Sequence, residues 1–479
     1  MLSILAVGVC AIAALVLRNR PDYIVLLYVT LWILIPHTVV IAYNSVGLHP
    51  ATLLALSGLA TTLLMSSQQI RDAWRASVEA AWGIYAALFA FLVLASLSQA
   101  FSDSVLRGIP IALDQIVAPL AIFAIARCAV ASGMDLLRRS LWLMLFIAAI
   151  ESILALVQRA IQQWIPYDAY YTQKFLDASG KWERYGGTFD HPLGLGLLLC
   201  LAMWCLWVVP WASVRLGFAA LFLAGIASTQ SRTGLIIAIA GLVAIMAFAP
   251  LRAVRKGQPS EGATFLRRIA SFIAIATVAL VSWRILIDLN ITHRLMAGDG
   301  SIEVRQAAYR VFFDNANDLL LWGGGSSSNY TFAQQHGSPA SFENPFMAYT
   351  ADFGMLAALL YFGTQLAIAV RALIYRRVGD GSGFVAITAV VAIVGTQAFS
   401  SLAAPGASAM LLWWILALAS CVRAPVPAKL SATLRASATS QVPSFNKWVG
   451  TRNGPATLAK ESDTQVNRRR HSTSGLAGK

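Results

Sequence analysis

Ionisable side chains lie inside several long apolar segments of this 479-residue chain, where a charge is costly unless it has a partner or a function. Five of them fall toward one end of their segments: His37, Asp114, Glu151, Arg232 and Arg284. Their shared position predicts a cavity that opens toward one membrane face. A transporter more often places such groups near the bilayer midplane.

Each of these residues also has a structural interpretation. His37 is better explained as a satisfied interfacial histidine than as a catalyst, and Asp114 and Glu151 are equally consistent with lining a substrate cavity and with a structural role. Glu151 and Arg284 also fit a buried ion pair or interfacial anchors. At the next junction between loop and span we expect a helix cap and an interfacial residue: Asp190 and His191.

The arginines suggest phosphate chemistry. Arg232 lies between a serine and a threonine at the start of an apolar run, where a guanidinium can bind phosphate oxygens through two parallel hydrogen bonds. Arg294, Arg305 and Arg310 follow in the longest polar segment. Residues 305 and 310 are about 140° apart around a helix, so on a straight helix only one faces a given ligand. These features fit an anionic lipid-linked substrate.

The composition of the chain indicates that these residues lie on or between membrane-spanning helices. The chain is 58% apolar and only 12% charged, against about a quarter charged in soluble domains. Its apolar runs are long enough to cross a hydrocarbon layer of roughly 30 Å as helices, and alternating strands of the barrel type are absent from the sequence. The five cysteines lie in or beside these runs, which predicts no disulfide and no thiolate metal site.

We predict an all-α polytopic membrane protein with about thirteen (12–14) transmembrane helices. The predicted spans are 1–17, 23–41, 48–66, 80–98, 108–126, 140–158, 192–209, 213–229, 233–249, 269–287, 346–370, 383–402 and 406–422. Twenty-six of the 36 Lys and Arg residues then fall on one side, which the positive-inside rule makes cytoplasmic. This puts the N-terminus outside, as a retained anchor, and the C-terminus in the cytoplasm.

The transmembrane domain covers 1–422 and precedes a basic, disordered cytoplasmic tail at 423–479, which carries much of the net charge of +14. No pattern of basic and aromatic residues supports nucleic-acid binding. Two long loops face outward: the aromatic 159–192 and the larger 288–345. Within the second, 303–322 has the spacing of an amphipathic helix, either lying on the membrane or capping the bundle.

Three sequence blocks in this order carry a family resemblance. Gly187–Gly194 (GTFDHPLG) resembles a GTF..PN.LA entry into a span, and Ser231–Gly234 (SRTG) resembles an SR(G/T) block. The third begins at Arg305, passes Gly323 and Gly325, and closes with FENPF and DFGM, like HN..L....E.GL.G. Together they are similar to the superfamily of O-antigen ligases and Wzy-type O-antigen and exopolysaccharide polymerases.

The resemblance implies a GT-C-like, metal-independent glycosyltransferase of the bacterial inner membrane, without a cofactor. Its donor would be an undecaprenyl-pyrophosphate-linked oligosaccharide, used at the periplasmic face within membrane lipid. The phosphate-binding arginines of the family would correspond to Arg232 and Arg305. Arg294 and Arg310 are further candidates for substrate binding, with Asp114 and Glu151.

One departure favours polymerisation of repeat units. Ligases of this superfamily carry a histidine where this chain has Glu343, directly before Asn344, a further substrate-binding candidate. Glu343 is therefore the candidate base, with His336 as the alternative; Glu343 also fits a role in ordering the loop. A ligase acting on lipid A–core or protein is the nearest rival, followed by a glycolipid permease or flippase and by a scaffold for an export complex. A chain-length regulator would be a further partner.

Overall fold

The structure is a computed structural model that describes residues 2–43, 47–102, 105–167, 184–254, 301–338, 342–375, 382–398 and 407–421. Within these ranges every regular element is a helix. The first half contains α1 (Leu2–Val16), α2 (Pro21–Leu34), α3 (His37–Tyr43), α4 (Pro50–Leu64), α5 (Gln68–Ala80), α6 (Trp82–Ala100), α7 (Val105–Ala112), α8 (Ala118–Ala131) and α9 (Leu136–Ile161). The second half contains α10 (Pro192–Cys205), α11 (Ala212–Thr229), α12 (Arg232–Val254), α13 (Ser301–Asp314), α14 (Ser328–Gln335), α15 (Pro345–Phe353), α16 (Met355–Tyr375), α17 (Ser382–Ala398) and α18 (Ala407–Ser420).

Five helical stretches in the described residues are long and apolar enough to cross a membrane: α6, the stretch Gly108–Ala131, α9, α11 and α16. The pair α4 and α5 adds a sixth if this bent pair is one span. Each predicted span coincides with a helix or a pair of helices, apart from 269–287, which lies outside the described residues. The chain is therefore a membrane protein whose described residues form only helices as regular elements, and the count of thirteen crossings stays a prediction.

Two predicted spans are interrupted. The segment 23–41 is divided between α2 and α3 at Pro36, which has no backbone N–H to continue a helix. The segment 346–370 is divided between α15 and α16 at Gly354, whose φ of +94° is left-handed. Both breaks lie at the end of the bundle that also carries the sequence motifs.

Two further predicted segments differ in detail from the structure. The predicted cytoplasmic loop 67–79 is largely helical: it contains most of α5, which bends by 105° from α4 and buries Ile70, Ala73 and Ser77 on one face. The predicted helix 303–322 is an α-helix only to Asp314. The Asn315 side chain donates to the Val311 carbonyl (2.8 Å) at this end, and such local side-chain bonds compete with helix continuation.

Long-range contacts separate the two ends of the bundle as the predicted topology requires. At one end, here called the basic end, residues in predicted cytoplasmic loops or at the adjoining span ends meet: Asn19 with Ser67, Asp22 with Arg20 and Arg139, Arg127 with Ser77 and Ser420, and Arg371 with Ala80. At the other, here called the motif end, residues in predicted outer loops or in the outer parts of adjoining spans meet: Thr188 with Glu151, Asp190 with His37, and Ser326 with Gln99. The alternation of sides is thus consistent with the packing.

Helix α18 lies at the centre of the bundle. Every residue from Ala407 to Ala419 is buried, as expected for a helix that is apolar on all sides. Its two tryptophans find polar partners on neighbouring helices: Trp413 donates to the Tyr361 hydroxyl (2.7 Å) and Trp414 to the Ser140 hydroxyl (3.3 Å). These bonds fix how α18 is rotated against α16 and α9.

We expect Asp22→Ala to lower thermal stability, because the buried Asp22 carboxylate joins the half-exposed Arg20 and Arg139. Hydrogen bonds to charged groups contribute about 1.5–3 kcal/mol when buried, and solvent exposure of both arginines brings the expected loss to about 1 kcal/mol. The control is Asp72→Ala, since Asp72 and Arg75 form an exposed pair at 3.9 Å. Thermal unfolding in nanodiscs, followed by tryptophan fluorescence, tests this; equal effects of the two substitutions would contradict it.

Candidate functional site

Gly187, in the first motif block, is held by side chains of α9 and of the loop that follows it. Its N–H donates to Gln158 Oε1 (3.0 Å), and its carbonyl accepts from Gln158 Nε2 (2.7 Å) and Trp164 Nε1 (3.1 Å). The φ of +63° is left-handed, and a Cβ here would overlap the Glu151 carboxylate. Glycine at this position therefore lets the chain pass directly over Glu151.

The next residues of the block tie three helices together. Thr188 donates its N–H to Glu151 Oε2 (2.8 Å), and its hydroxyl lies 2.8 Å from Glu151 Oε1 and within hydrogen-bond distance of the Ile33 carbonyl. The Asp190 carboxylate accepts from the backbone N–H groups of His37 (2.8 Å) and Thr38 (2.9 Å), which caps α3 from 153 residues away. We call Gly187–His191 the motif clamp.

The clamp ends with a second cap. His191 Nδ1 accepts from the Leu193 N–H (3.1 Å) at the start of α10. The expected roles at this junction, a cap and an interfacial residue, are thus replaced by two caps, of which the one from Asp190 serves a distant helix. A helix N-terminus needs such acceptors because its first N–H groups have no intrahelical partner.

Asp114 lies in a π-helical turn, Leu113–Val117, between α7 and α8. It is 1% exposed, its carboxylate oxygens are both 3.3 Å from the His49 N–H, and Oδ2 is 3.5 Å from His37 Nδ1. The His49 ring in turn stacks on Trp32 with centroids 4.0 Å apart. His37, Asp114 and Glu151 are therefore buried among protein partners, which favours their structural interpretation; Arg284 lies outside the described residues.

The second motif block begins α12. The Ser231 hydroxyl accepts the Gly234 N–H (3.1 Å) as an N-terminal cap, and Arg232 is the first residue of the helix with a half-buried side chain. The Tyr185 N–H, two residues before the first block, donates to the Ser228 carbonyl near the end of α11 (3.1 Å). The half-buried Arg184, next to Tyr185, was not singled out from the sequence.

The three glycines after α13 cross between α6 and α15. The N–H groups of Gly324 and Gly325 donate to the carbonyls of Ala351 (2.9 Å) and Asp352 (2.8 Å). A Cβ at Gly323 would overlap the Asp352 backbone. The third motif block is therefore one structure: its glycines pack against the helix formed by its closing residues.

Asp352 and Gln99 hold the continuation of this glycine loop. The buried Asp352 carboxylate, in α15 before the candidate span α16, accepts from the Asn329 N–H (2.8 Å) and the Asn329 side chain (3.2 Å). On the other side, Gln99 Oε1 accepts the Ser326 N–H (2.8 Å). Gln99 and Asn329 belong to none of the sequence motifs. The sequence marks them only as polar residues, Gln99 at the end of the apolar helix α6 and Asn329 in the outer segment.

Glu343 lies between a buried aromatic residue and a helix cap. Phe342 is 1% exposed and packs against Phe312 of α13 and Phe332 of α14, with centroids 5.7 and 6.1 Å away. The side chain of Asn344 accepts the N–H groups of Phe346 (3.0 Å) and Met347 (3.3 Å) and so caps α15. Glu343 itself is half-buried, so this segment holds it at a fixed place on the motif end.

His336 belongs to the same aromatic group but is exposed. Its ring lies 4.2 Å from the Phe332 ring, and Nδ1 is 2.9 Å from the Phe332 carbonyl at the end of α14. His336 packs against Phe332, which contacts Phe342, the residue directly before Glu343. The two candidate bases therefore belong to neighbouring parts of one aromatic cluster.

Helix α13 carries Arg305 and Arg310 on different sides. Ala308 and Phe312 are buried in the same apolar cluster as Phe342. Position 305 precedes them by three and seven residues, which is the spacing of one helix face. Arg310 is exposed. The structure describes the helix at position 305 without its side chain, and Arg294 lies outside the described residues. In the described residues no group of three or more His, Cys, Asp or Glu could hold a metal.

Comparison with known families confirms the resemblance seen in the motifs. Residues 217–362 match the family model Wzy_C, described as O-antigen ligase, and this region contains the second and third blocks. The match is consistent with the superfamily of O-antigen ligases and polymerases, and it points to a glycosyl-transferring membrane enzyme. No curated protein and no solved structure matches the chain.

We expect Gly323→Ala to destabilise the glycine loop by about 1–3 kcal/mol, because overlap with the Asp352 backbone cannot be relieved by turning a side chain. The matched control is Gly363→Ala in α16, where a Cβ meets no atom within 4 Å and alanine is the better helix former. Thermal unfolding of both variants in nanodiscs tests the difference. A Gly323→Ala protein as stable as the control would show that the loop is not packed as described.

Proposed function

We propose that this protein polymerises lipid-linked oligosaccharide repeat units of an O-antigen or exopolysaccharide at the periplasmic face of the inner membrane. The donor is a glycan on undecaprenyl pyrophosphate, and the acceptor is a sugar hydroxyl of another lipid-linked repeat unit. The observation that carries this proposal is the packing of α13 on the segment around Glu343. It brings the face of α13 that contains position 305 toward the candidate base.

Arginines supply the charge that the leaving group needs. When the bond between the anomeric carbon and the pyrophosphate oxygen breaks, the electron pair stays on that oxygen and negative charge builds up there. Arg232 at the start of α12 and Arg305 on α13 stabilise this charge by forked hydrogen bonds, a role that needs no metal ion. The exposed Arg310, together with Arg294, attracts the anionic donor toward the site.

Glu343 completes the transfer as a base. As the acceptor oxygen forms its bond to the anomeric carbon, its proton passes to the Glu343 carboxylate. A half-buried carboxylate held between Phe342 and Asn344 suits this task, because both neighbours are anchored by the fold. His336 is the alternative base, and Asn344 acts here by capping α15. Glu151 supports the site through the clamp, and Asp114 does so through its contacts with His37 and His49.

A polymerase reaction requires only the donor lipid and the enzyme. We expect the purified protein in proteoliposomes, with lipid-linked repeat unit as the sole substrate, to give a ladder of longer glycans on a gel. Transfer that occurs only after lipid A–core is added would instead identify a ligase. If the lipid is moved across the bilayer without any transfer, the protein is a flippase. A ladder that needs a chain-length regulator would identify that protein as a required partner.

Conservative variants separate the proposed roles. Arg232→Lys and Arg305→Lys keep the charge but lose the fork, so we expect each to lower the transfer rate about 10²-fold. Glu343→Gln removes the base, for an expected loss of about 10²–10⁴-fold.

The matched controls are Arg75→Lys, exposed on α5 at the basic end, and Asp318→Asn, exposed in the same outer segment as Glu343. Both should retain full activity. An Arg305→Lys protein with wild-type activity would contradict phosphate binding by Arg305. If Glu343→Gln is active while His336→Gln is not, the base is His336.

A further inference from the structure

Three exposed apolar residues follow the helical part of the outer segment. Leu320, Leu321 and Trp322 are 48%, 59% and 44% exposed, and they come directly before the three glycines of the loop. The ring of Phe101, itself 76% exposed at the end of α6, lies 6.2 Å from the Trp322 ring. We call these four residues the apolar ledge. Exposed side chains of this size in one place indicate contact with another apolar phase.

The ledge continues a surface that already faces lipid. Helices α6 and α16 are candidate spans that pack side by side, and the ledge lies where α6 ends and α16 begins. Exposed apolar side chains lie on both helices next to it: Val93 and Leu97 on α6, and Leu356 and Leu359 on α16. A bilayer that covers these two helices therefore reaches the ledge at its boundary.

Backbone contacts fix the ledge at this depth. The Leu320 carbonyl accepts the Leu356 N–H (3.3 Å) at the start of α16. Gly354 passes so close to the Leu321 carbonyl that a Cβ there would overlap it. The glycine loop that follows directly is hydrogen-bonded to α15. These contacts hold the ledge at the level where α6 ends and α16 begins.

The exposed residues just before the ledge in the sequence are acidic. Asp314 and Asp318 are both exposed, and a charged carboxylate is stable in water but not in hydrocarbon. The ledge itself contains two aromatic rings, those of Phe101 and Trp322. Tryptophan is the residue that most favours the interface between water and lipid, since its ring is both apolar and a hydrogen-bond donor.

We propose that the apolar ledge is embedded in the boundary region of the bilayer leaflet at the motif end, in contact with lipid acyl chains. It thereby anchors residues 301–338 to the membrane and sets the height of α13 above it. This inference is independent of which sugar is transferred, or whether any is. It assigns the outer segment a membrane-binding surface in addition to its contact with the bundle.

Spin labels on single cysteines measure this depth directly. Labels at Leu321→Cys and Phe101→Cys are compared with Asp318→Cys as the aqueous control and Leu359→Cys as the lipid-facing control. The native cysteines, of which four are buried and Cys421 is half-buried, are replaced by alanine. Each label is tested in proteoliposomes for collision with oxygen, which concentrates in lipid, and with a nickel chelate, which stays in water.

We expect the labels at 321 and 101 to favour oxygen, close to the label at 359, and the label at 318 to favour the nickel chelate. A label at 321 that is as accessible to the chelate as the one at 318 would overturn the proposal. If the cysteine-free protein does not fold, a photoactivatable benzophenone residue at 321 or 318 of the otherwise native chain replaces the labels. Adducts with phospholipid, found by mass spectrometry, should then form from 321 and not from 318.

Discussion

Irregular backbone at the end of a membrane bundle must find its hydrogen-bond partners within the protein, because lipid provides none. The motif clamp meets this requirement for three helices. Glu151 and Gln158 of α9 bind Gly187 and Thr188, while Asp190 caps α3 after the break at Pro36. These bonds, with the cap from His191, tie α2, α3 and α9 to the start of α10. The residues of the first motif block are thus explained here by architecture before chemistry.

Sequence patterning located the helices well and their breaks poorly. Long apolar runs predict helical segments because burial in lipid leaves no alternative, and every predicted span in the described residues contains helix. A break depends on partners elsewhere in the fold. The left-handed Gly354 is stabilised by its fit against Leu321, and the cap of α3 comes from a residue 153 positions away. Neither partner can be identified from local sequence.

For the candidate site, too, some features could be predicted from the sequence and others depend on the tertiary fold. The motifs identified the blocks around Arg232, Arg305 and Glu343, but only packing shows that the helix face with Ala308 and Phe312, which position 305 shares by spacing, is the buried one while Arg310 is exposed. The role of Asn344 as a cap, and the distant helix that Asp190 caps, also became evident only from their acceptor contacts. A sequence gives the types of the polar residues, and the partners that decide their roles are set by the tertiary fold.

The central position of α18 has a consequence for how the protein is made. This helix leaves the ribosome after all the other described helices, yet it packs in the middle of them with Trp413 and Trp414 bonded to Tyr361 and Ser140. Until α18 is inserted, the earlier helices lack their central packing partner, and the hydroxyl groups of Tyr361 and Ser140 lack the tryptophan donors that they have in the folded protein. Insertion of α18 between helices already in the bilayer is therefore a late step in assembling the described bundle, and a variant truncated before residue 407 lacks the helix around which that bundle packs.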